Sequence, residues 1–222
     1  MSSSAHAVPS PPPHPAATPR VPGQARRRQL LNVAIDLFGR NGFSGTKTKD
    51  IAAAAGVSEA ILFRHFATKE DLYHAILDAQ ANQSTFQWLG ELRGFAERND
   101  DEGFFRCFVS NILKSFQKEP AFHRLMLYAS LEGHTFAGLF HERVGLPMFD
   151  FVRNYIARRQ QDGAFRRSDL GAAAIFVFSV PVHYAIGRYL FRVKKLPLAG
   201  DEVVDQFASL ILSGLQKPAR KK

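Results

Sequence analysis

The chain has 222 residues, of which 45% are hydrophobic, with a formal charge of +9 and one cysteine. That apolar content is enough for ordinary cores, so disorder throughout is excluded, and Cys107 alone excludes an intrachain disulfide and points to a reducing, cytoplasmic setting. The charge is uneven: residues 20–78 carry nine Lys/Arg against six Asp/Glu, and the last seven residues four against none. Such a balance suits a phosphate backbone and an anionic membrane surface equally.

Residues 1–22 hold more than half of the prolines and no apolar run of signal-peptide type, so they read as a disordered leader. From Arg26 to Gly42, Leu30, Leu31, Ala34, Ile35, Leu37 and Phe38 form one stripe at helical spacing, and Asn41-Gly42 ends it. Thr46 is placed to cap a short helix containing Ile51, Ala52 and Ala55. Gly56 supplies a sharp turn and Ser58 restarts the chain as an N-cap. In the next short helix Leu62 and Phe66 share an inner face, which leaves Glu59, Ala60, Ile61, Phe63, Arg64 and His65 for other surfaces. This is the pattern of a helix-turn-helix. Thr68 with Asp71 resembles a capping box that opens a fourth helix, expected to run to about Leu89 as a stalk.

Asn99-Asp-Asp-Glu102 caps a helix with Phe104, Phe108, Ile112 and Phe116 spaced by fours, and Glu119-Pro120 ends it. Ala121 to Leu131 forms the next helix, and Phe136 to Gln161 a longer one with Pro147 as a kink or restart. Ser168 or Asp169 caps an apolar helix over 170–192, and Asp201 opens a last one to Leu215. Leu170 to Phe191 has the length of a membrane span. Pro181, His183 and Arg188 interrupt it and Asp169 and Arg192 bracket it, so it reads as a helix covered by its own core and by a partner. No sustained period-two pattern occurs. The chain is therefore expected to be all-α with about nine or ten helices, organised as a leader (1–22), a helix-turn-helix DNA-binding domain (23–72), a larger helical domain (73–215) and a basic tail (216–222).

The stretch from Arg27 to Leu77, with Ala34-x-x-Leu-Phe38, Asn41-Gly-Phe43, Ile51-Ala52, Ala55-Gly-Val-Ser58, Leu62-Phe-Arg-His-Phe66 and Lys69-Glu-x-Leu72, resembles the DNA-binding domain of TetR-type transcriptional regulators. The resemblance implies a homodimer whose recognition helices enter successive major grooves of a near-palindromic operator, and a repressor released by a small effector. It places Thr46, Thr48, His65 and Lys69 at phosphate, and Ser58, Glu59, Ala60, Ile61 and Arg64 at base edges. Phe63 departs from the family, which usually has a tyrosine there whose hydroxyl meets phosphate. Arg27, within the run Arg26-Arg27-Arg28, is either part of an arm onto phosphate or the minor groove, or a solvated helix start.

The region after residue 72 holds sixteen of the twenty phenylalanines. A core accounts for most of them, and the resemblance implies a ligand cavity for which Phe105, Phe108, Met126, His134, Phe176, His183 and Tyr184 are the candidates, suited to a hydrophobic or aromatic molecule. An enzyme is disfavoured: the eight histidines show no His-Glu-x-x-His pattern, and phosphate loops and nucleophile elbows are missing, so no catalytic residue, metal or cofactor is expected. The alternative is a helical adaptor or membrane-surface protein using the basic segments, an activity that does not need an ordered helix-turn-helix.

Overall fold

The computed structural model describes residues 23–83, 85–196 and 200–217; the proline-rich leader and the end of the basic tail lie outside them. The helices are α1 (Gly23–Asn41), α2 (Thr48–Ala54), α3 (Glu59–His65), α4 (Lys69–Gln83), α5 (Thr85–Glu97), α6 (Asp101–Lys118), α7 (Pro120–Leu131), α8 (Thr135–Phe140), α9 (Leu146–Gln161), α10 (Leu170–Ala185) and α11 (Asp201–Leu215). The class is all-α, and the β pairing among the described residues is an isolated bridge between Phe165 and Gln216.

Helix ends follow local chemistry. Gly42 at φ 72° closes α1 and Gly163 at φ 78° follows α9, both in the left-handed region that glycine enters without a Cβ penalty. Thr68 and Asp71 form the reciprocal box that opens α4: the Asp71 N–H donates to Thr68 Oγ1 (3.0 Å) and the Thr68 N–H to Asp71 Oδ2 (3.1 Å). Asp100 accepts from the Gly103 N–H at the start of α6 (2.9 Å), and Asp169 from the Ala172 N–H at the start of α10 (2.8 Å).

Three expectations are corrected. The fourth helix does not reach Leu89: α4 ends at Gln83, and a separate helix, α5, spans Thr85–Glu97 with Leu92 and Ala96 buried. The span Phe136–Gln161 is not one kinked helix: α8 is followed by a π-helical turn, His141–Gly145, and α9 begins with Pro147 in its first turn, where a missing N–H does no harm. Bracketing charges do not rule out a span by composition. The helical stretch Leu170–Leu190, which ends in a second π turn at Ile186–Leu190, is long and apolar enough to cross a bilayer, with mean hydropathy 1.7. Its inner face, Ala173, Ala174, Val177, Pro181 and Ala185, is nonetheless buried within the protein.

Two buried clusters organise the packing. The first joins Leu30, Ala34 and Phe38 of α1, Ile51 of α2, Leu62 of α3 and Tyr73 and Ile76 of α4 to Phe122 and Leu125 of α7 and Phe136 of α8. The second joins α6 (Phe104, Phe105, Phe108) to α9 (Val152, Tyr155), α10 (Val177) and α11 (Ile211, Leu215). Each fully buried Phe or Leu contributes about 1.5–3 kcal/mol relative to exposure, so both clusters are substantial. α7 lies along α1, and the approach is close: a Cβ built on Gly39 would come within 2.4 Å of the Ala121 carbonyl oxygen.

Candidate nucleic-acid interface

α2 and α3 are held at their angle by Gly56, whose φ of 66° makes the turn. The Val57 N–H then donates to the Ala52 carbonyl, 3.0 Å, and Ser58 receives the Ile61 N–H on its hydroxyl, 3.4 Å. Leu62 and Phe66 face the core, so the rotation of α3 is fixed and Glu59, Ala60, Phe63 and Arg64 are exposed, with Ile61 and His65 half-buried. Phe63 keeps 43% of its surface open. The exposed face thus holds the residues anticipated for base contact. Arg64 has no hydrogen bond or ion pair among the described residues and is free to meet a ligand.

The phosphate-facing group is less uniform. Thr46 is corrected on two counts. It is not the cap of α2, whose N-cap is Lys47, and it is 1% exposed, with its hydroxyl donating inward to the carbonyls of Gly42 (2.8 Å) and Leu37 (3.3 Å). It shapes the turn before α2 and its side chain is turned away from solvent. Thr48 donates to Glu59 Oε1 (2.5 Å), which pins one end of α3 to the start of α2. Lys69 sits at the first residue of α4, where the helix dipole favours anions, but its ammonium donates to the Phe43 carbonyl (2.5 Å) and lies 4.0 Å from the centre of the Phe43 ring. Burial lowers its pKa, against the opposing pull of Glu70 and Glu132. Arg27 rests its guanidinium 4.9 Å from the Phe66 ring centre on the exposed side of α1.

Several positioning residues were not legible beforehand. Gln29 donates to the Ala55 carbonyl (3.1 Å) and so ties α1 to the turn. Glu132 at the end of α7 accepts from the Phe43 N–H (3.1 Å), and Tyr128 donates to the Arg40 carbonyl (3.2 Å). These contacts bridge 88 and 89 residues of chain, and no local pattern announces them.

Residues 30–76 match the profile described as bacterial regulatory proteins, tetR family. The chain is 40% identical over 109 residues to the HTH-type transcriptional regulator RutR of Escherichia coli (strain K12), covering 49% of this chain and 50% of RutR; it thus spans about half the length of that curated relative. It is 26% identical over 208 residues to the HTH-type transcriptional repressor KstR2 of Rhodococcus jostii (strain RHA1), covering 87% and 92% of the two chains. The crystal structure of AibR in complex with isovaleryl coenzyme A and operator DNA superposes with a TM-score of 0.60 and 22% identity, covering 87% of this chain and 99% of that one. Residues 30–76 thus form a helix-turn-helix segment of the TetR type.

Outside the TetR-type helix-turn-helix the anticipated ligand residues do not converge. Phe105 and Phe108 are fully buried in the second cluster, with Phe105 5.3 Å from Phe104 and Phe108 4.8 Å from Phe178. Met126 and His134 belong to the first cluster and its margin. His134 caps α8, its Nδ1 accepting from the Phe136 N–H (3.2 Å), and its ring lies 4.5 Å from Phe43, so it faces the helix-turn-helix unit. Burial lowers its pKa. Phe176 is partly exposed on α10 against Gly214. His183 and Tyr184 alone share a cavity, an open groove of ≈620 Å³ beside α11. Among the described residues no group of three or more His, Cys, Asp or Glu is arranged to hold a metal ion.

Proposed function

We propose that the protein is a ligand-responsive transcriptional regulator, a repressor in its simplest form, which binds a near-palindromic operator as a homodimer and is released by a small effector. The observation that carries this is the α3 face: Leu62 and Phe66 anchor the helix inward while Ala60, Phe63 and Arg64 are exposed, with Glu59 exposed beside them and bonded to Thr48. An α-helix so presented fits a major groove. In this reading residues 23–72 form the DNA-binding unit and 73–215 the effector and dimerisation region, in a cytoplasmic protein without catalytic residues or cofactor. Ser58, Glu59, Ala60, Ile61 and Arg64 read bases. Thr48, His65, Lys69, Arg27 and the Phe63 ring contact the backbone.

Dimerisation is supported by the faces of α10 and α11 that the protomer leaves uncovered. Ile175 is 59% exposed and Leu210 61%, with Phe176 beside them. A patch of this kind is costly to leave in water, and a second copy of the same two helices would cover it as a four-helix bundle. AibR binds operator DNA and isovaleryl coenzyme A. That a chain with the same fold joins these two partners favours the effector-responsive form of the proposal over an adaptor. The test is selection from a random duplex pool with purified protein. A near-palindromic consensus is expected, bound with a steep salt dependence, and recovery of no sequence preference would sink the reading.

A further inference from the structure

The helices α2 and α3 are tied together at their starts by a polar clamp. Thr48, the first residue of α2, donates from Oγ1 to Oε1 of Glu59, the first residue of α3, at 2.5 Å across eleven residues of chain. A hydroxyl bonded to a carboxylate makes a short, charge-assisted bond, about twice as strong as one between neutral groups. Thr48 is half-buried and Glu59 exposed, so the inner partner holds the outer one. Glu59 makes no other hydrogen bond and no ion pair among the described residues, which leaves its Oε2 unengaged on the open face of α3. Ala60 beside it is too short to screen it, and Phe63 lies one turn further along the same face.

A carboxylate in the first turn of a helix is common, because the positive end of the helix dipole favours it. The dipole does not account for the clamp. Fixing a Glu side chain costs rotamer entropy, and here that cost falls within the folded protein and is not incurred again on binding. The N-terminal residues of a recognition helix are the ones that reach base edges, so Glu59 stands where a base is read. An ionised carboxylate can only accept hydrogen bonds. In the major groove guanine offers N7 and O6 and thymine O4, all acceptors, and adenine sets its N6 donor beside the N7 acceptor; cytosine alone offers a donor, N4, with no acceptor next to it.

We infer that Glu59 is a specificity-determining residue that selects a cytosine in each operator half-site, accepting from its N4 amine, and that Thr48 is the positioning residue for Glu59. The inference rests on the reading of the protein as an operator-binding regulator and adds the base selected and the side chains that select it. Selection works largely by exclusion: guanine or thymine at that position would set an acceptor oxygen against a negative charge already fixed in place. With the hydroxyl hydrogen of Thr48 committed to Glu59, any phosphate contact from Thr48 falls to its backbone N–H.

The experiment is selection from a random duplex pool with the full chain, run for the wild type, Glu59→Gln, Thr48→Val and Thr48→Ser. The wild type is expected to return a cytosine at one position of each half-site, preferred about tenfold over the other bases. Glu59→Gln keeps the shape but carries donors as well as an acceptor, so it should admit all four bases there while the rest of the consensus stands. Thr48→Val removes the donor and should lose most of the preference, and Thr48→Ser should keep it; a merely structural role would move melting temperature and overall affinity and leave that one position alone. A second probe depends on no variant's folding. N4-methylcytosine at the selected position puts a methyl group where the N–H faced the groove, and it should weaken wild-type binding about tenfold. A consensus that Glu59→Gln leaves unchanged, identical behaviour of the two Thr48 variants, or indifference to the methyl group overturns the inference while the regulator reading stands. No consensus from the wild type overturns both.

Discussion

Lys69 and Arg64 stand a few residues apart and are used in different ways. The Lys69 ammonium is bonded to the Phe43 carbonyl and stacked on its ring, while Arg64 makes no hydrogen bond or ion pair among the described residues. Lys69→Ala should therefore lower the melting temperature and weaken DNA binding evenly across sequences, whereas Arg64→Ala should leave melting unchanged and relax preference at one operator position by about 1–3 kcal/mol. Melting curves with binding to a panel of operator variants separate the two, and matched, sequence-blind losses would remove the assigned roles. His123 offers a test by pH. Its Nε2 lies 3.0 Å from Ser115 Oγ, its ring stacks on Phe116 at 3.6 Å, and burial pulls its pKa down to about 4. The unfolded chain takes up the proton near the ordinary value of 6.5 and the folded one only near 4, so stability is full above that range and falls as pH drops through it. Urea unfolding at several pH values should show this decline, and His123→Gln should flatten it.

Among the elements, α7 packs along α1 and, with α8, joins the two regions. Glu132 and Tyr128 hold the backbone at Phe43 and Arg40. Removing both by Glu132→Ala with Tyr128→Phe leaves the recognition face intact but its base loose, so operator affinity should fall several-fold with base preference unchanged in the same binding panel. The difference between what could and could not be read in the sequence shows here. The box of Thr68 with Asp71 and the turn at Gly56 are decided within four residues of chain and are legible there, while the run Asn99–Glu102 and the pair Ser168 and Asp169 offer several caps, of which packing selects Asp100 and Asp169. The inward turn of the Thr46 hydroxyl and the grip of Glu132 on Phe43 depend on how distant helices meet, which no window reports. The aromatics were ambiguous for another reason. Phe105 at helical spacing looks the same whether it closes a core or lines a cavity, and only packing shows that it does the former.

At the scale of the molecule, the uncovered stripe on α10 and α11 predicts assembly. Ile175→Asp or Leu210→Glu should yield monomers in sedimentation experiments that bind operator DNA much more weakly, because two half-sites are then no longer engaged together. A dimer that survives both would place the interface elsewhere. Thermodynamic reciprocity sets a further condition: if a small effector releases the operator, operator-bound protein must bind that effector less tightly by the same factor.

The glycine at position 39 has a consequence for heredity. There is no space there for even a methyl group, since α1 rides on the Ala121 carbonyl. A single-base change to alanine or serine would wedge the reading head away from its mount while leaving the exposed faces of α3, α10 and α11 chemically untouched. Colonies selected for loss of repression should return such alleles among the commonest, and their products should be soluble, dimeric and silent on DNA.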